Sequence, residues 1–397
     1  MIKTFKYKLY NSKNNKHLIS SIVLACEIYN HCIRLHKRYY SKYKKHLHKY
    51  DLQKHITKIK KIKKYKHWKD LSSTIIQDIT DRIQWNYTIF FNHLKIKNKR
   101  IVSPPSFKSK QKYKSITFKG QGYTLYKNNI LQINKLKYNY KFFKSREIEG
   151  TIKTLTIKRD SLSDLYLFFV CEVGNPKLRK MTGKTAGFDF GLKTYLTSDT
   201  GNKIESPLFL SSDVKTLKSL SRKHSKKKKG SNNRERSRKN LCRFYRSITN
   251  RRDDYHFKLA KKLCDQFDEL YFESLNIEAM KKIWGRKISD LSFSSFMKIL
   301  GNYCTKAGVK LIKIGRFEAT SKICNDCGYK KEDLTLKDRE WKCPECKKVH
   351  DRNINAAKNI KLVGTSTSKG EEVRLSKIII HNLRKHSSLS TLKSPVL

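Results

Sequence analysis

The chain opens on an alternating stretch, Lys3-Thr-Phe-Lys-Tyr-Lys-Leu-Tyr10, in which lysines and aromatics take turns as a strand with one buried face requires. The period then lengthens. Leu18, Ile22, Cys26, Tyr29 and Ile33 recur every three or four positions, which predicts an amphipathic helix. Residues 37–69 are rich in lysine, with scattered Tyr and His. A second helix is predicted where Ile75, Ile79, Ile83, Tyr87, Phe90 or Phe91, and Leu94 share a face, with Ser72 or Ser73 as N-cap. Pro104-Pro105 breaks the helical pattern. Residues 107–173 then read as strands. Leu165, Leu167, Phe169, Cys171 and Val173 alternate, and Asp160-Ser161 sits between two such runs like a hairpin turn. The economical arrangement is a small β-barrel begun by residues 1–12 and completed by 103–175, interrupted by a helical domain over 16–97.

A new domain is expected from about Met181. Thr185-Ala-Gly-Phe-Asp-Phe-Gly-Leu reads as a buried strand, and Asp199-Thr-Gly-Asn as the hairpin turn after it. Residues 214–262 read as helical and very basic, 267–275 and 309–315 as apolar strands, and 291–307 as helical. Strands alternating with helices predict an α/β domain. From Gly364 the Ser/Thr/Lys-rich composition reads as a poorly ordered tail.

Charge narrows the class of partner. The 397 residues include 90 Lys and Arg against 33 Asp and Glu, for a net charge of +57 and a pI near 10.0. Residues 1–180 carry +32 of it and 181–397 carry +25, so the basicity belongs to the whole chain and not to a tail. Such a chain needs polyanions, nucleic acid or an anionic membrane surface. A content of 11% aromatic residues is too high for a disordered polycation. No run approaches the ~20 apolar residues of a membrane span, and Met1-Ile-Lys-Thr-Phe-Lys lacks the apolar core of a secretory leader. A small extracellular module, an integral membrane protein and an acidic solvating protein are excluded on this reading.

Ten cysteines divide into two sets. Cys26, Cys32, Cys171, Cys242, Cys264 and Cys304 are scattered, and read as reduced core thiols of an intracellular protein. The other four form Cys324-x2-Cys327-x15-Cys343-x2-Cys346. Each pair can bite a metal from a tight knuckle, and the spacer lets two knuckles meet at one tetrahedral centre. Four thiolates with no open position point to structural Zn²⁺, the alternatives being two disulfides or four free thiols.

Three carboxylates stand out by their surroundings. Asp189 lies in Gly-Phe-Asp-Phe-Gly, a strand with little else polar. A buried charge of that kind needs a metal, a hydrogen-bond network or a cation beside it. Glu273 ends the apolar run Leu-Tyr-Phe-Glu, and Asp351 follows the cysteine motif and precedes a helix. Three such acids meeting at one sheet edge can hold two Mg²⁺ ions about 3.5–4 Å apart, one activating water and one stabilising the leaving oxygen of a phosphodiester. Singly, Asp189 can be a turn residue, Glu273 a salt-bridge partner and Asp351 a helix N-cap.

Residues 221–246 hold 12 basic residues against one acid, Glu235. Like charges one turn apart repel unless an anion neutralises them. The stretch is therefore read as a phosphate-tracking helix, anchored by Phe244 and Tyr245, with Arg222, Lys223, Lys226, Lys227, Arg234, Arg238, Arg243 and Arg246 as candidate contacts.

These pieces, in this order, resemble the TnpB family, the transposon-encoded relatives of type V CRISPR effectors. The resemblance is carried by Gly187-Phe-Asp-Phe-Gly-Leu-Lys, the basic helix, Phe272-Glu-Ser-Leu-Asn-Ile-Glu-Ala-Met, Thr320-Ser-Lys-Ile-Cys-x-x-Cys-Gly, Cys343-Pro-x-Cys and Asp351-Arg-Asn-Ile-Asn-Ala-Ala-Lys-Asn-Ile. It is continuous over about 181–363, while residues 1–100 match in architecture more than in motif. The fold it implies is a multidomain α/β plus β-barrel protein. A wedge β-barrel (1–15 and 103–180) would carry a helical recognition insert (16–102). A RuvC-like nuclease domain of RNase H fold (181–318 and 349–363), with basic helix 221–262 within it, would have a zinc ribbon (319–348) inserted, and a flexible tail (364–397) would follow.

The resemblance further implies RNA-guided cleavage of double-stranded target DNA beside a short transposon-associated motif. Asp189, Glu273 and Asp351 would ligate two Mg²⁺, the four cysteines one structural Zn²⁺, and a guide RNA made from the transposon end would supply the sequence. The order Asp–Glu–Asp differs from the Asp–Asp–Glu of a strand-joining transposase. One departure is Asn353, where the family often has Asp in Asp-Arg-Asp. The alternative function is a non-cleaving RNA- or DNA-binding regulator of transposition or transcription. The expected compartment is cytoplasmic and nucleoid-associated in a prokaryote, and nuclear or a viral factory in a eukaryote or its virus, with no membrane partner.

Overall fold

The computed structural model describes residues 1–96, 102–176, 178–315, 320–335 and 338–368. The last residues of the expected helical insert, the start of the expected zinc ribbon and most of the expected tail therefore lie outside the described residues. The chain divides into two compact units, Met1–Asn175 and Pro176–Leu397. The division falls ahead of the expected start near Met181, because Asp268 gathers the segment that follows. It accepts from the Arg179 guanidinium at 2.6 Å and from the backbone N–H groups of Thr182 and Gly183 at 2.8 and 2.6 Å.

The first unit is built on a barrel-like antiparallel sheet of seven strands. These are β1 (Ile2–Leu9), β2 (Ser115–Lys119), β3 (Tyr123–Tyr126), β4 (Ile130–Ile133), β5 (Asn139–Phe143), β6 (Thr151–Arg159) and β7 (Leu165–Glu172), in the order β2-β6-β7-β1-β5-β4-β3. The opening strand thus sits inside the sheet, paired with β7 on one side and β5 on the other. Period-two alternation sends Phe5, Tyr7 and Leu9, with Leu167, Phe169, Tyr140 and Phe142, into a common core. Asp160 closes the β6–β7 turn by accepting from the N–H groups of Leu162 and Asp164 at 2.8 and 2.9 Å.

Between β1 and β2 stand α1 (Asn15–Tyr43), α2 (Lys49–Ile59), a 3₁₀ segment (Lys63–Asp70) and α3 (Ser73–Leu94). The lysine-rich stretch is therefore largely helical. Leu52, Ile56 and Ile59 give α2 its buried stripe, and Trp68 is fully buried with its indole N–H on Glu27 at 2.9 Å. α1 is long and apolar enough by composition to cross a membrane, against the expectation that no such stretch exists. Its apolar stripe, Leu18 to Ile33, is buried in the core of this unit.

The second unit centres on a five-stranded sheet of β8 (Thr185–Phe190), β9 (Thr194–Ser198), β10 (Lys203–Glu205), β11 (Glu269–Glu273) and β12 (Lys310–Ile314), ordered β10-β9-β8-β11-β12. β8, β9 and β10 form an antiparallel meander, while β11 runs parallel to both β8 and β12. Ala186, Phe188, Leu270 and Phe272 point to one face. There they meet Leu259, Ala260 and Leu263 of α5 (Asn232–Gln266) and Phe293, Phe296 and Leu300 of α7 (Phe293–Ala307). α6 (Ile277–Leu291) packs Ile288 and Leu291 into the same core. The other face takes α8 (Arg352–Ser368). It approaches so closely that a Cβ on Gly187 would lie 2.4 Å from the Ala357 carbonyl oxygen, and one on Gly364 would lie 2.3 Å from the Tyr271 ring. The helix therefore runs past Gly364, where the composition predicts a tail.

The expected single basic helix is two. α4 (Phe209–Ser225) ends in the lysine run, Gly230 turns the chain at φ +84°, and Ser231 caps α5 by accepting from the Arg234 N–H at 3.2 Å. α4 folds back along α5. The Arg251 side chain pairs with Asp213 near the start of α4, and Arg234 reaches the His224 carbonyl at its end.

Candidate active site

Strand alternation fixes where the two strand-borne acids go. Gly187 and Asp189 share the α8 side of β8, and Tyr271 and Glu273 share that side of the parallel neighbour β11. Both acids sit at the carboxyl ends of their strands. Asp351 ends β13 (Val349–Asp351), immediately before α8. The packing of α8 across β8 and β11 thus brings its first turn to the same strand ends.

The electrostatics record the convergence. Burial is the largest influence on Asp189 and pushes its carboxyl up to about 7, and the charge of Glu273 adds to the rise, with a smaller push from Asp351. Arg352 and the Phe190 N–H oppose it. Burial likewise pushes Glu273 up to about 7. Asp351 behaves differently. Its own burial raises it, but Lys203 and two backbone N–H groups outweigh that and hold it below the usual carboxylate range. One oxygen caps α8, accepting from the N–H groups of Asn353 and Ile354 at 2.9 and 3.1 Å, and the other accepts from Lys203 Nζ at 2.9 Å.

Among the described residues, the sets of three or more potential ligands with donor atoms within 4.8 Å of one another are the four cysteines and the trio Cys324, Asp326 and His350. Glu273 and Asp351 both bear on Asp189, but the three acids are not drawn that close, and Asp351 is committed to Lys203. Their donor set is nonetheless oxygen only, crowded, and short of compensating cations on Asp189 and Glu273. Such a set suits a hard divalent cation.

The cysteine motif forms two matching knuckles. Gly328 N–H donates to the Cys324 carbonyl at 2.9 Å, with Gly328 at φ +82°, and Lys347 N–H to the Cys343 carbonyl at 3.0 Å, with Lys347 at φ +60°. Cys324 and Cys346 Sγ lie 3.6 Å apart, Cys327 and Cys343 Sγ 3.5 Å. Backbone N–H groups of neighbouring residues point at Cys324, Cys327 and Cys343. Four converging sulfurs fit one tetrahedral Zn²⁺, with Zn–S bonds of about 2.3 Å. His350 stands beside them, its Nε2 3.1 Å from Cys324 Sγ and its ring against Trp341.

Sequence reasoning missed how the knuckles hold α8. Asn355 and Asn359, both buried, lie one turn apart on the helix. Their side-chain N–H groups reach the Ile323 carbonyl at 2.7 Å each, and Asn359 also reaches that of Thr320 at 2.8 Å. Asn325 answers, its backbone N–H donating to Asn355 and its side chain to Asn359, at 2.9 Å each. The signal that was available is the i, i+4 asparagine pair on the same side of the helix as Ala356, Ile360 and Val363, which are buried. Lys203 had no such signal.

Of the candidate nucleic-acid residues, Arg222 and Lys223 are on α4 and Lys226 and Lys227 in the turn after it. Arg234, Arg238, Arg243 and Arg246 are on α5. Arg222, Lys223 and Lys226 line an open basic groove of about 340 Å³ with Lys215, Lys218 and Ser219. Arg234 is tied to the Lys227 carbonyl at 2.6 Å, Arg238 to Glu235 at 2.7 Å and Arg243 to Asn240 at 2.9 Å. The groove of α4 is thus the more available cationic surface, while Arg234 braces the hairpin and Arg238 and Arg243 pair within α5.

Comparison with known proteins places this architecture. Over 91% of this chain and 98% of the other, the fold matches a structure described as the Cas12f1-sgRNA-target DNA complex, at a TM-score of 0.57 and 14% identity. The mini-RNA-guided endonuclease CRISPR-Cas phi3 matches over 91% and 92%, at a TM-score of 0.51 and 10% identity. The fold is that of the compact Cas12-type effectors. A family model described as "Probable transposase" (OrfB of IS605) matches residues 168–284, and one described as "Cas12f1-like, TNB domain" matches 293–360. A Streptomyces pristinaespiralis protein named "Putative RNA-guided DNA endonuclease" is 30% identical over 80% of this chain and 78% of its own length. The TnpB-like protein L79 of Acanthamoeba polyphaga mimivirus is 31% identical over 53% of this chain and 43% of its own. The chain belongs to the TnpB family.

Proposed function

We propose that the chain is an RNA-guided DNA endonuclease of a transposable element, cutting target DNA beside a short flanking motif under direction of a guide RNA from the transposon end. The observation that carries this reading is the arrival of Asp189, Glu273 and Asp351 at one end of a single mixed sheet, in a protein of net charge +57. The second unit, on this reading, is a RuvC-like nuclease of RNase H fold with the zinc ribbon inserted before its last helix. The barrel and its helical insert grip guide and duplex.

Asp189, Glu273 and Asp351 would hold two Mg²⁺, and Cys324, Cys327, Cys343 and Cys346 one Zn²⁺. Bound there, the ions would supply activation of a water and charge neutralisation at the phosphodiester. The chain's own part is geometric. β8 and β11 fix two acids on rigid strands, the ribbon clamps α8 through Asn355 and Asn359, and α8 presents the third. Lys203 neutralises Asp351, and a metal bound there would take over that role.

The test is Mg²⁺-dependent cleavage of guide-matched DNA by the copurified ribonucleoprotein, with Asp189→Ala and Glu273→Ala as controls. Cleavage by the wild type, with each variant down at least about a hundredfold, supports the proposal. Guide-directed binding without cleavage would establish the regulator instead.

A further inference from the structure

The turn Asp199-Thr-Gly-Asn joins β9 to β10, but its first residue also reaches sideways. Asp199 Oδ1 accepts from the Gly187 N–H at 3.1 Å, and the Asp199 N–H donates to the Gly187 carbonyl at 3.0 Å. Its Oδ2 accepts from Lys361 Nζ of α8 at 2.7 Å. The Asp199 side chain is only 8% exposed. One buried carboxylate therefore ties the strand of Asp189, at the residue two before it, to the helix that follows Asp351.

The same turn meets α8 again near its start. Gly201 stands at φ +87°, and a Cβ there would lie 3.4 Å from Ile354. Lys203, just past the turn, holds Asp351 at 2.9 Å. The two lysine pairs thus hold Asp351 and a point ten residues on, roughly 15 Å along a helix. They differ in kind. A metal at the acids would replace Lys203, whereas Asp199 and Lys361 stand outside the acid set and would stay paired.

The other contacts of α8 do not set its position lengthwise on the sheet in the same way. Asn355 and Asn359 tie it to the ribbon. Ile360 and Val363 share a core with Tyr271 and Ile314. Apolar packing is non-directional and tolerates small shifts, while a charge-assisted hydrogen bond is directional. A buried ion pair adds little net stability over apolar residues of the same size, and fixing register is its best use.

We infer that Asp199 and Lys361 are positioning residues of the proposed metal site. Their pair sets the register of α8 against β8, and through the helix the place at which Asp351 faces Asp189 for a shared divalent cation. The inference rests on the nuclease reading above.

Mn²⁺ binding to the full-length, zinc-bound protein, read from the EPR signal of the free ion well below the melting temperature, tests it without cleavage. The part of the binding that Asp189→Ala abolishes belongs to the acid site. Asp199→Asn/Lys361→Met removes both charges and nearly keeps the shapes. This double variant should melt within a few degrees of the wild type. It should bind Mn²⁺ at the site about tenfold more weakly, the lower end of the usual cost of losing a group that orients a metal ligand. Lys361→Arg keeps the pair and should bind as the wild type does. Should the double variant not fold, Lys361→Met alone repeats the measurement, at a side chain 34% exposed. Wild-type site affinity in the charge-free variant, or the same loss in Lys361→Arg, overturns the inference and leaves the nuclease reading standing. A wild type whose Mn²⁺ binding Asp189→Ala does not change removes the metal site, and the inference with it.

Discussion

Replacing Asp189 by Asn should make the protein more stable while destroying its proposed activity. The side chain keeps its shape and loses its charge. The carboxyl is pushed up to about 7 from an ordinary 3.8, a shift of roughly three units, which sets a ceiling of about 4 kcal/mol on the cost of ionising it in the fold. The Asn variant forgoes the attraction of Arg352 and some of the Phe190 N–H bond, which trims the expected gain to about 1.5–3 kcal/mol. For a unit of roughly two hundred residues that is a rise in Tm of about 3–10 °C. The sign with pH follows from the raised value. The wild-type carboxyl contributes its stability below about pH 4 and loses it as pH rises through about 7. The difference between variant and wild type should therefore be less than half as large at pH 5 as at pH 8, and should level off above about pH 7.5. Differential scanning fluorimetry in Mg²⁺-free buffer, without chelator so that zinc stays bound, reads it directly. Added Mg²⁺ should then raise the wild-type Tm more than that of the variant. A folded Asp189→Asn protein with no gain at pH 8, or with the same gain at pH 5, would refute the account of the site.

Three further outcomes are expected. Lys203→Met should free Asp351 and lower the Mg²⁺ or Mn²⁺ concentration at half-maximal Tm shift severalfold; an unchanged midpoint would mean the 2.9 Å ion pair does not compete with metal. Asn359→Leu should cost about 1–3 kcal/mol by taking the acceptor from the Asn325 side chain and leaving the Thr320 carbonyl only the longer bond from Asn355, and with Cys343→Ser it should raise proteolytic sensitivity at the start of α8; equal protease patterns would uncouple ribbon from helix. Charge reversal at Arg222, Lys223 and Lys226 should flatten the salt dependence of nucleic-acid binding by about two units of slope, against little change for Arg234→Glu, and equal slopes would show that the α4 groove is not the contact.

The elements readable from sequence were those whose pattern is local. Phe5, Tyr7 and Leu9 alternate with lysines, and the structure buries those three. Asp189 stood out because a charge inside an apolar strand has few ordinary explanations. α6 escaped, although Met280, Trp284, Ile288 and Leu291 follow helical spacing, because Gly285 and a kink at Trp284 interrupt it. α2 hid among lysines and histidines. Lys203 was unreadable in principle, since its partner lies 148 positions along the chain and only the docking of α8 brings them together. The barrel's strand order is equally non-local, with β1 placed by partners made much later.

Because β8 and β11 are translated well before α8, a growing chain carries two of the three acids on formed strands while the third does not yet exist. The helix that supplies it also fills one face of the sheet, so completing the acid set and completing the core are the same event. On the proposed function, a fragment that ends before α8 would lack both a complete acid set and one face of its core, and should be inert as well as unstable.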